Sequence, residues 1–340
     1  MRAISLFFLV ISAAWAQSPG SGITKGIEDF HRGHYLEARD ILAKYPTDPG
    51  AQTFLALTRA ALGSCNQAER ELDHQFAANP QPSLRRLAGL ALTQCRLSEN
   101  NLAGAFPVLT ELQKSFPSDA DVLYEAAKVY RKAWNDTIYE MYRKTPASFR
   151  VNQLSAEIFE IQSQYPQAVS EYRKAIQKNP SALDLHFHLG RALLLESHDP
   201  KNLEEARREF EAELALNPSD AAAEYEIGQI LVAQQDATGA ASHFEKAISL
   251  SPNFPEALAA LGRSRLDAKR YKDAIHLLEQ AVKQRPAMES AHYNLMLAYR
   301  NAGRMNDARR EKEILDKLQR PPAGEFTEFL KKLGEKAPQP

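Results

Sequence analysis

The chain carries little excess charge for its length. Its 340 residues include 42 lysine and arginine side chains against 43 aspartate and glutamate side chains, which leaves a formal net charge of −1. Because binding to phosphate backbones depends on excess positive charge, this balance gives no reason to expect DNA, RNA or an anionic membrane as a partner. Hydrophobic residues make up 44% of the chain and charged residues 25%, proportions typical of a folded protein.

Motifs that carry catalysis or bind metal ions are also lacking. The sequence has no G-x-S-x-G, H-E-x-x-H, P-loop or G-x-G-x-x-G motif. His186 and His188 are two residues apart, so on a helix they would point to different sides and could not share one ion. His31 and His34 lie on either side of Gly33, a residue typical of turns. We therefore expect no enzymatic activity, no cofactor and no metal site.

One long apolar run stands near the start of the chain. Arg2 is followed by an apolar stretch from Ile4 and then by Ala14-Trp15-Ala16, the pattern of a secretory signal peptide with an A-x-A cleavage site. The stretch is shorter than the ~20 residues that span a bilayer, and no later segment is apolar enough to cross one. We predict a signal peptide over residues 1–16, cleavage after Ala16, and export to the periplasm or the medium without membrane insertion.

The main positive signal is an internal repeat. Gly228 and Gly262 each follow a branched apolar residue, and the residues after them recur at an offset of 34. The matching residues are Ala240, Phe244, Ala247 and Pro252 after the first glycine, and Ala274, Leu278, Ala281 and Pro286 after the second. Spacings of three and four residues form one stripe on a helix, proline ends the helix, and small residues let two helices approach closely. Each unit is therefore predicted to be a pair of helices.

The 34-residue unit, the Leu-Gly pair and the later alanine, aromatic and proline residues resemble the tetratricopeptide repeat, or TPR. The resemblance implies an all-α, right-handed superhelical solenoid of antiparallel helix pairs. We expect about nine pairs over residues 17–322, best matched over 149–288, that begin near residues 19, 49, 86, 120, 149, 183, 221, 255 and 289.

Two units and the end of the chain depart from the pattern. The unit from 183 has four extra residues around Ser197 to Lys201, which we expect to lengthen the loop between its helices. The unit from 120 is about five residues short and lacks a clear internal turn. Phe326, Phe329 and Leu333 fall on one face of a helix predicted over 323–336, which would cap the array, and residues 337–340 are expected to be a disordered tail.

The TPR resemblance implies that certain positions on the first helix of each pair face a concave groove. The groove residues so implied are Tyr124, Lys128, Phe187, Arg191, Tyr225, Gln229, Arg263 and Tyr293. Aromatic faces offer apolar contact at small entropic cost, and guanidinium groups can pair with the carbonyls or acidic side chains of a peptide. The alternative for the tyrosines is packing within the framework. Glu157 with Glu160, like Glu204 with Glu205, are expected to be solvated faces or groove charges.

The chain has only two cysteines, Cys65 and Cys95. In a TPR stack the turn within one unit and the end of the next unit's first helix share an edge, so the two could form a disulfide in an exported protein. The alternative is a pair of small buried hydrophobic side chains. Their spacing matches no zinc or redox motif.

These observations favour a non-enzymatic scaffold or adaptor outside the cytoplasm that binds a peptide or protein in the groove. One alternative is a structural subunit of a cell-envelope assembly or secretion complex that uses edge and convex contacts. Another is an enzyme or carbohydrate-binding protein whose site is formed across several units. The partner's identity and the oligomeric state do not follow from the sequence.

Overall fold

The structure, a computed structural model, describes residues 21–319. Over this range it contains seventeen α-helices and no strand, so the predicted all-α class is confirmed. The signal peptide predicted over 1–16, the cap over 323–336 and the tail over 337–340 lie outside the described residues. Within residues 21–319 we find no helix whose length and hydrophobicity would let it span a bilayer.

The described helices belong to two compact units, which are divided between Lys144 and Thr145. The first unit contains α1 (Ser21–His31), α2 (Tyr35–Leu42), α3 (Pro49–Ala61), α4 (Cys65–Ala78), α5 (Pro82–Ser98), α6 (Leu102–Ser115) and α7 (Ala120–Lys144). The second contains α8 (Phe149–Ile161), α9 (Tyr165–Lys178), α10 (Leu185–Glu196), α11 (Pro200–Leu216), α12 (Ala221–Ala233), α13 (Ala237–Leu250), α14 (Pro255–Asp267), α15 (Tyr271–Gln284), α16 (Glu289–Asn301) and α17 (Met305–Leu318).

Short turns join the two helices of each pair and reverse the chain direction. In seven of the eight pairs of the described range, the middle residue of a three-residue turn has a positive φ. These residues are Gly33, Gly63, Asn100, Ser163, Gln235, Lys269 and Gly303. The left-handed residue lets the turn amides bond back to the end of the first helix, as Gly63 N–H does to Ala60 O at 2.9 Å and Ser64 N–H to Arg59 O at 2.8 Å.

The two helices of a pair pack closely where a small residue faces a large one. Gly228 of α12 is buried against Phe244 of α13, and a Cβ placed on Gly228 would lie 2.5 Å from the Phe244 ring. The same relation holds for Gly190 with Phe210 and for Gly262 with Leu278. The repeating glycines therefore mark the contact points between paired helices.

The unit predicted from residue 120 is not a helix pair. Residues 120–144 form one continuous helix, α7, and residues 133–135, where the turn would fall in the 34-residue frame, contain no glycine, proline or residue with positive φ. Nothing there ends the helix. The described residues thus contain eight helix pairs and one unpaired helix in place of about nine pairs.

Two boundaries also differ from the sequence prediction. Helix α5 begins at Pro82 and not near residue 86. The extra residues around Ser197 lengthen α11 to 17 residues, while the turn before it keeps the usual three. Asp199 accepts the Asn202 N–H at 2.9 Å and Pro200 occupies the first turn, so the helix begins at once and the loop does not grow.

In the first unit, a disulfide bond joins Cys65 to Cys95. Cys65 is the first residue of α4 and Cys95 lies near the end of α5, with their Cα atoms 5.3 Å apart. Both side chains are buried in the hydrophobic core of this unit. The bond therefore ties the second helix of one pair to the first helix of the next.

Candidate functional site

The second unit has a cavity of about 510 Å³ between the first helices of three consecutive pairs, α12, α14 and α16. Three of the residues predicted from the sequence, Tyr225, Gln229 and Arg263, line it. Its apolar lining includes Val232, Phe244, Ala259, Ala260 and Met288. An apolar surface with a few polar groups at its edge is the usual character of a site that binds a side chain or a small ligand.

Tyr225 is held in a fixed position in this cavity. Its hydroxyl accepts a hydrogen bond from the Gln229 side chain, one helical turn later on α12. Its ring centroid lies 5.1 Å from that of Phe254 and 5.8 Å from that of Phe244. Burial raises the pKa of the Tyr225 hydroxyl, and the bond from Gln229 acts in the opposite direction. Tyr225 therefore packs within the framework and also lines the cavity, so its position fits both the framework role and the groove role considered for the tyrosines.

Arg263 connects two helices at the edge of the cavity. Its Nε donates to Asp267 Oδ2 at 2.9 Å, and its Nη1 donates to Asn294 Oδ1 on α16 at 3.1 Å. Asn294 is a lining residue that the sequence analysis did not select, although it directly follows the predicted Tyr293. Tyr293 itself is 50% exposed and does not line the cavity. The guanidinium is held in place while its remaining donors stay available.

Phe187 and Arg191 lie on α10 of the same unit. The Phe187 ring packs against Phe210, with centroids 5.5 Å apart, and is partly buried. Arg191 is half-buried, and its positive charge acts on Glu226 of α12, whose carboxyl pKa is raised by burial and partly lowered again by this arginine. Neither predicted residue lines the cavity, although both belong to the series of first helices that forms it.

Tyr124 and Lys128 belong to α7 of the first unit. The Lys128 ammonium lies 5.6 Å from the Tyr124 ring centroid and bonds to the buried Glu125 carboxylate at 2.9 Å. Tyr124 is 66% exposed. These two residues form a local cluster of their own and are not lining residues of the cavity in the second unit.

One group of carboxylates in the described residues has its oxygens close enough to share an ion: Asp184, Glu213 and Asp220, within 4.8 Å of one another. Glu213 is fully buried and accepts the Asp184 N–H at 3.0 Å at the start of α10. Asp220 accepts the N–H groups of Ala222 and Ala223 at the start of α12. These bonds satisfy helix N-termini, so the group has a structural explanation.

Models of the tetratricopeptide repeat match residues 160–197, 201–255 and 265–320. The chain contains tetratricopeptide repeats. The matched segments fall in the second unit and include the cavity-lining residues Tyr225, Gln229 and Arg263. The helix-pair architecture and these matches together confirm a TPR-type solenoid fold class.

Solved structures with a similar fold include one of MamA, at 18% sequence identity and a TM-score of 0.45, covering 56% of this chain and 98% of that one. A structure of YrrB, described as a TPR protein with an unusual peptide-binding site, is 18% identical with a TM-score of 0.44 and covers 57% of this chain and 97% of that one. A fragment of MamA from Desulfovibrio magneticus RS-1 is 17% identical with a TM-score of 0.42, covering 50% of this chain and 92% of that one. No curated protein sequence matches the chain.

Proposed function

We propose that this protein is an exported, non-enzymatic scaffold that binds a peptide or protein partner along the first helices of the second unit. The cavity between α12, α14 and α16 is the observation that carries the proposal. It offers aromatic and apolar surface, with Gln229, Arg263 and Asn294 at the edge to bond to a peptide main chain. Aromatic and arginine side chains in such places supply most of the binding energy at protein interfaces.

Export is supported by the bond between Cys65 and Cys95, since disulfides persist in oxidising compartments and are rare in the cytosol. The signal-peptide pattern over residues 1–16 agrees with it. We expect the mature protein recovered from the producing cell to begin at Gln17, as determined by mass spectrometry of its N-terminal peptide. Recovery with Met1 intact, and from the cytosolic fraction alone, would contradict export.

The binding proposal predicts that Tyr225→Ala combined with Arg263→Glu weakens capture of the native partner by at least about tenfold. The first change removes the aromatic wall of the cavity, and the second reverses the charge at its edge. The measurement is affinity capture from the native extract, with quantification of the captured partner by mass spectrometry. Circular dichroism of the variant should show unchanged helical content.

Lys272→Glu is the matched control, because Lys272 is exposed on the second helix of a pair, α15, and lies outside the cavity. This control should capture the partner as the wild type does. If the double variant captures it equally well, the groove proposal fails. Crosslinking from the second helices, and not from the first, would then favour a subunit of an assembly that uses convex contacts.

A further inference from the structure

The cations at the edge of the cavity each have a carboxylate beside them. Among the described residues that line the cavity, Arg263 is the one with a positive charge, and its Nε bonds to Asp267 at 2.9 Å. The remaining charged lining residue, Glu256, pairs with Arg285, whose Nη2 lies 2.6 Å from the carboxylate. The lining therefore offers no cation that a carboxylate of a ligand could pair with alone.

Carboxylates also act on the aromatic wall of the cavity. Burial is the largest cause of the raised pKa of the Tyr225 hydroxyl, and the charges of Glu226 and Glu256 raise it further, against the bond from Gln229. Glu226 in turn feels the positive charge of Arg191. An anionic group placed against this wall would meet the same two carboxylates, and like charges at short distance disfavour each other.

The fold of α14 does not require the negative charge of Asp267. This aspartate is the last residue of the helix, where the helix dipole presents its negative end and an acidic side chain is unfavourable. The cation of its ion pair precedes it by one turn, which is the weaker of the two orders on a helix. Its side chain is 60% exposed, so packing does not explain it either. The charge is better explained by the cavity that Asp267 lines.

The hydrogen-bond donors that remain at the cavity suit neutral acceptors. A guanidinium group has five N–H donors, and Arg263 uses two of them, on Asp267 and on Asn294 Oδ1. Asn294 accepts that bond with its Oδ1, which leaves its Nδ2 as a donor. A main-chain carbonyl can accept from these groups without a counter-ion, whereas a carboxylate that loses its water in an apolar cavity needs one. A cavity of about 510 Å³ has room for apolar side chains.

We propose that the cavity binds an uncharged apolar segment from within a partner chain, whose main-chain carbonyl accepts from Arg263 and Asn294, and that Asp267 excludes acidic side chains and free carboxyl termini. This inference rests on the proposed binding function and names the chemistry of the ligand at that site. Asp267 acts through Arg263, because it offsets the positive charge that would attract a carboxylate and leaves the other guanidinium donors in place.

The test begins with selection of displayed random 12-residue peptides on the purified mature protein. Peptides selected by the wild type should be rich in apolar and aromatic residues and depleted of aspartate and glutamate. One selected peptide is then synthesised with each residue in turn replaced by aspartate or by asparagine. These two side chains have nearly the same shape, so the ratio of their affinities, the aspartate penalty, measures the effect of negative charge alone. At the most sensitive position we expect a penalty of at least about tenfold at low salt.

Asp267→Asn removes the charge and keeps an oxygen that can accept from Arg263. In this variant the aspartate penalty should fall to about threefold or less, and selection should admit acidic residues. Asp136→Asn is the matched control, because Asp136 pairs with Lys132 across one turn of α7, as Asp267 does with Arg263 on α14, and belongs to the first unit. This control should show the penalty of the wild type. Circular dichroism should show unchanged helical content in both variants.

The outcomes separate this inference from the proposed function. If the wild type selects acidic residues, or binds the aspartate and asparagine peptides equally, the selectivity is wrong. If Asp267→Asn keeps the full penalty, or Asp136→Asn lowers it as much, Asp267 is not its source and the inference is overturned. Peptide binding at the cavity stands in each of these cases when Tyr225→Ala weakens binding of the selected peptide. If the wild type selects no peptide, the inference and the proposed peptide binding fail together.

Discussion

At the scale of single residues, paired helices approach closely where a small side chain on one helix leaves room for a large side chain on the other. Gly228 leaves room for the Phe244 ring, and the two residues are both buried. A Cβ added at Gly228 would lie 2.5 Å from the Phe244 ring, so an added methyl group must separate α12 from α13 or force the ring from its rotamer. The cavity is lined by Phe244, so this packing also shapes the candidate site.

We expect Gly228→Ala to lower the free energy of unfolding by about 1–2 kcal/mol, since an overpacking cost of about 1–3 kcal/mol exceeds the better helix propensity of alanine. Urea unfolding followed by circular dichroism measures this. Gly228→Ala with Phe244→Leu should recover part of the loss, because Ala56 and Leu72 occupy the equivalent positions of the pair α3 and α4 and are both buried. An unchanged or increased stability of the single variant would show that the contact is not tight.

Part of the candidate site could be predicted from single residues and part could not. Tyr225, Gln229 and Arg263 were identified because a repeat position alone decides which way they face. Asn294, which lines the cavity and accepts a hydrogen bond from Arg263, was missed because it is one position away from the expected series. The sequence also could not show that Glu157 and Glu160 would lie partly buried on α8 without a salt bridge to a described lysine or arginine, since that depends on which cations the neighbouring helices supply.

At the scale of helix pairs, polar contacts recur at one position of the repeat in the second unit. In four pairs a side chain near the start of the first helix bonds to one on the second helix at 2.6 Å, with a sequence separation of 19 or, where α11 is longer, 23. The bonded pairs are Asn152 with Glu171, His186 with Glu209, Glu224 with His243, and His292 with Glu311. Leu258 and Leu277 take the equivalent positions in α14 and α15, so this position of the repeat can hold either a hydrogen-bonded polar pair or an apolar pair.

This alternation predicts a strong coupling between His186 and Glu209. His186→Leu or Glu209→Leu alone leaves a partly buried polar group without its partner, and each should cost about 1–2 kcal/mol of unfolding free energy. The double variant carries the leucine pair that α14 and α15 already use, and should lie within about 0.5 kcal/mol of the wild type. A double-mutant cycle in urea gives the coupling energy. Additive losses would mean that the two side chains do not interact.

The helix pairs also show which features of the fold the sequence can predict. The repeat spacing predicted the pairs in the second unit because glycine, alanine and proline impose the geometry locally. The turn positions with a positive φ were harder to predict, because they are not always glycine. Four of them are occupied by Asn100, Ser163, Gln235 and Lys269. Helix α7 was difficult to predict for a different reason. The 34-residue spacing suggests two helices over this unit, but one continuous helix forms because no residue in its middle ends it.

At the scale of the whole molecule, the stability of a repeat array is a sum of local terms, because each pair contacts chiefly its neighbours in sequence. The disulfide lies within the first unit and joins α4 to α5, whereas the cavity lies in the second. By the loop-closure estimate, a crosslink across a separation of 30 residues contributes up to about 3.5 kcal/mol. We therefore expect the disulfide to stabilise mainly the helices next to it in the first unit.

We expect reduction of the full-length mature protein to increase amide hydrogen exchange in α3 to α6 and to leave exchange in α12 to α17 unchanged. Opening of α4 and α5 becomes easier once the unfolded chain is no longer crosslinked, while the helices around the cavity keep all their contacts. Hydrogen exchange followed by mass spectrometry, with and without dithiothreitol, measures both regions in one sample. The variant Cys65→Ala with Cys95→Ala is the control, since its exchange should not respond to the reductant. Faster exchange throughout residues 21–319 on reduction would mean that the disulfide stabilises the array as one cooperative body, and peptide binding in the second unit would then depend on the redox state of the first.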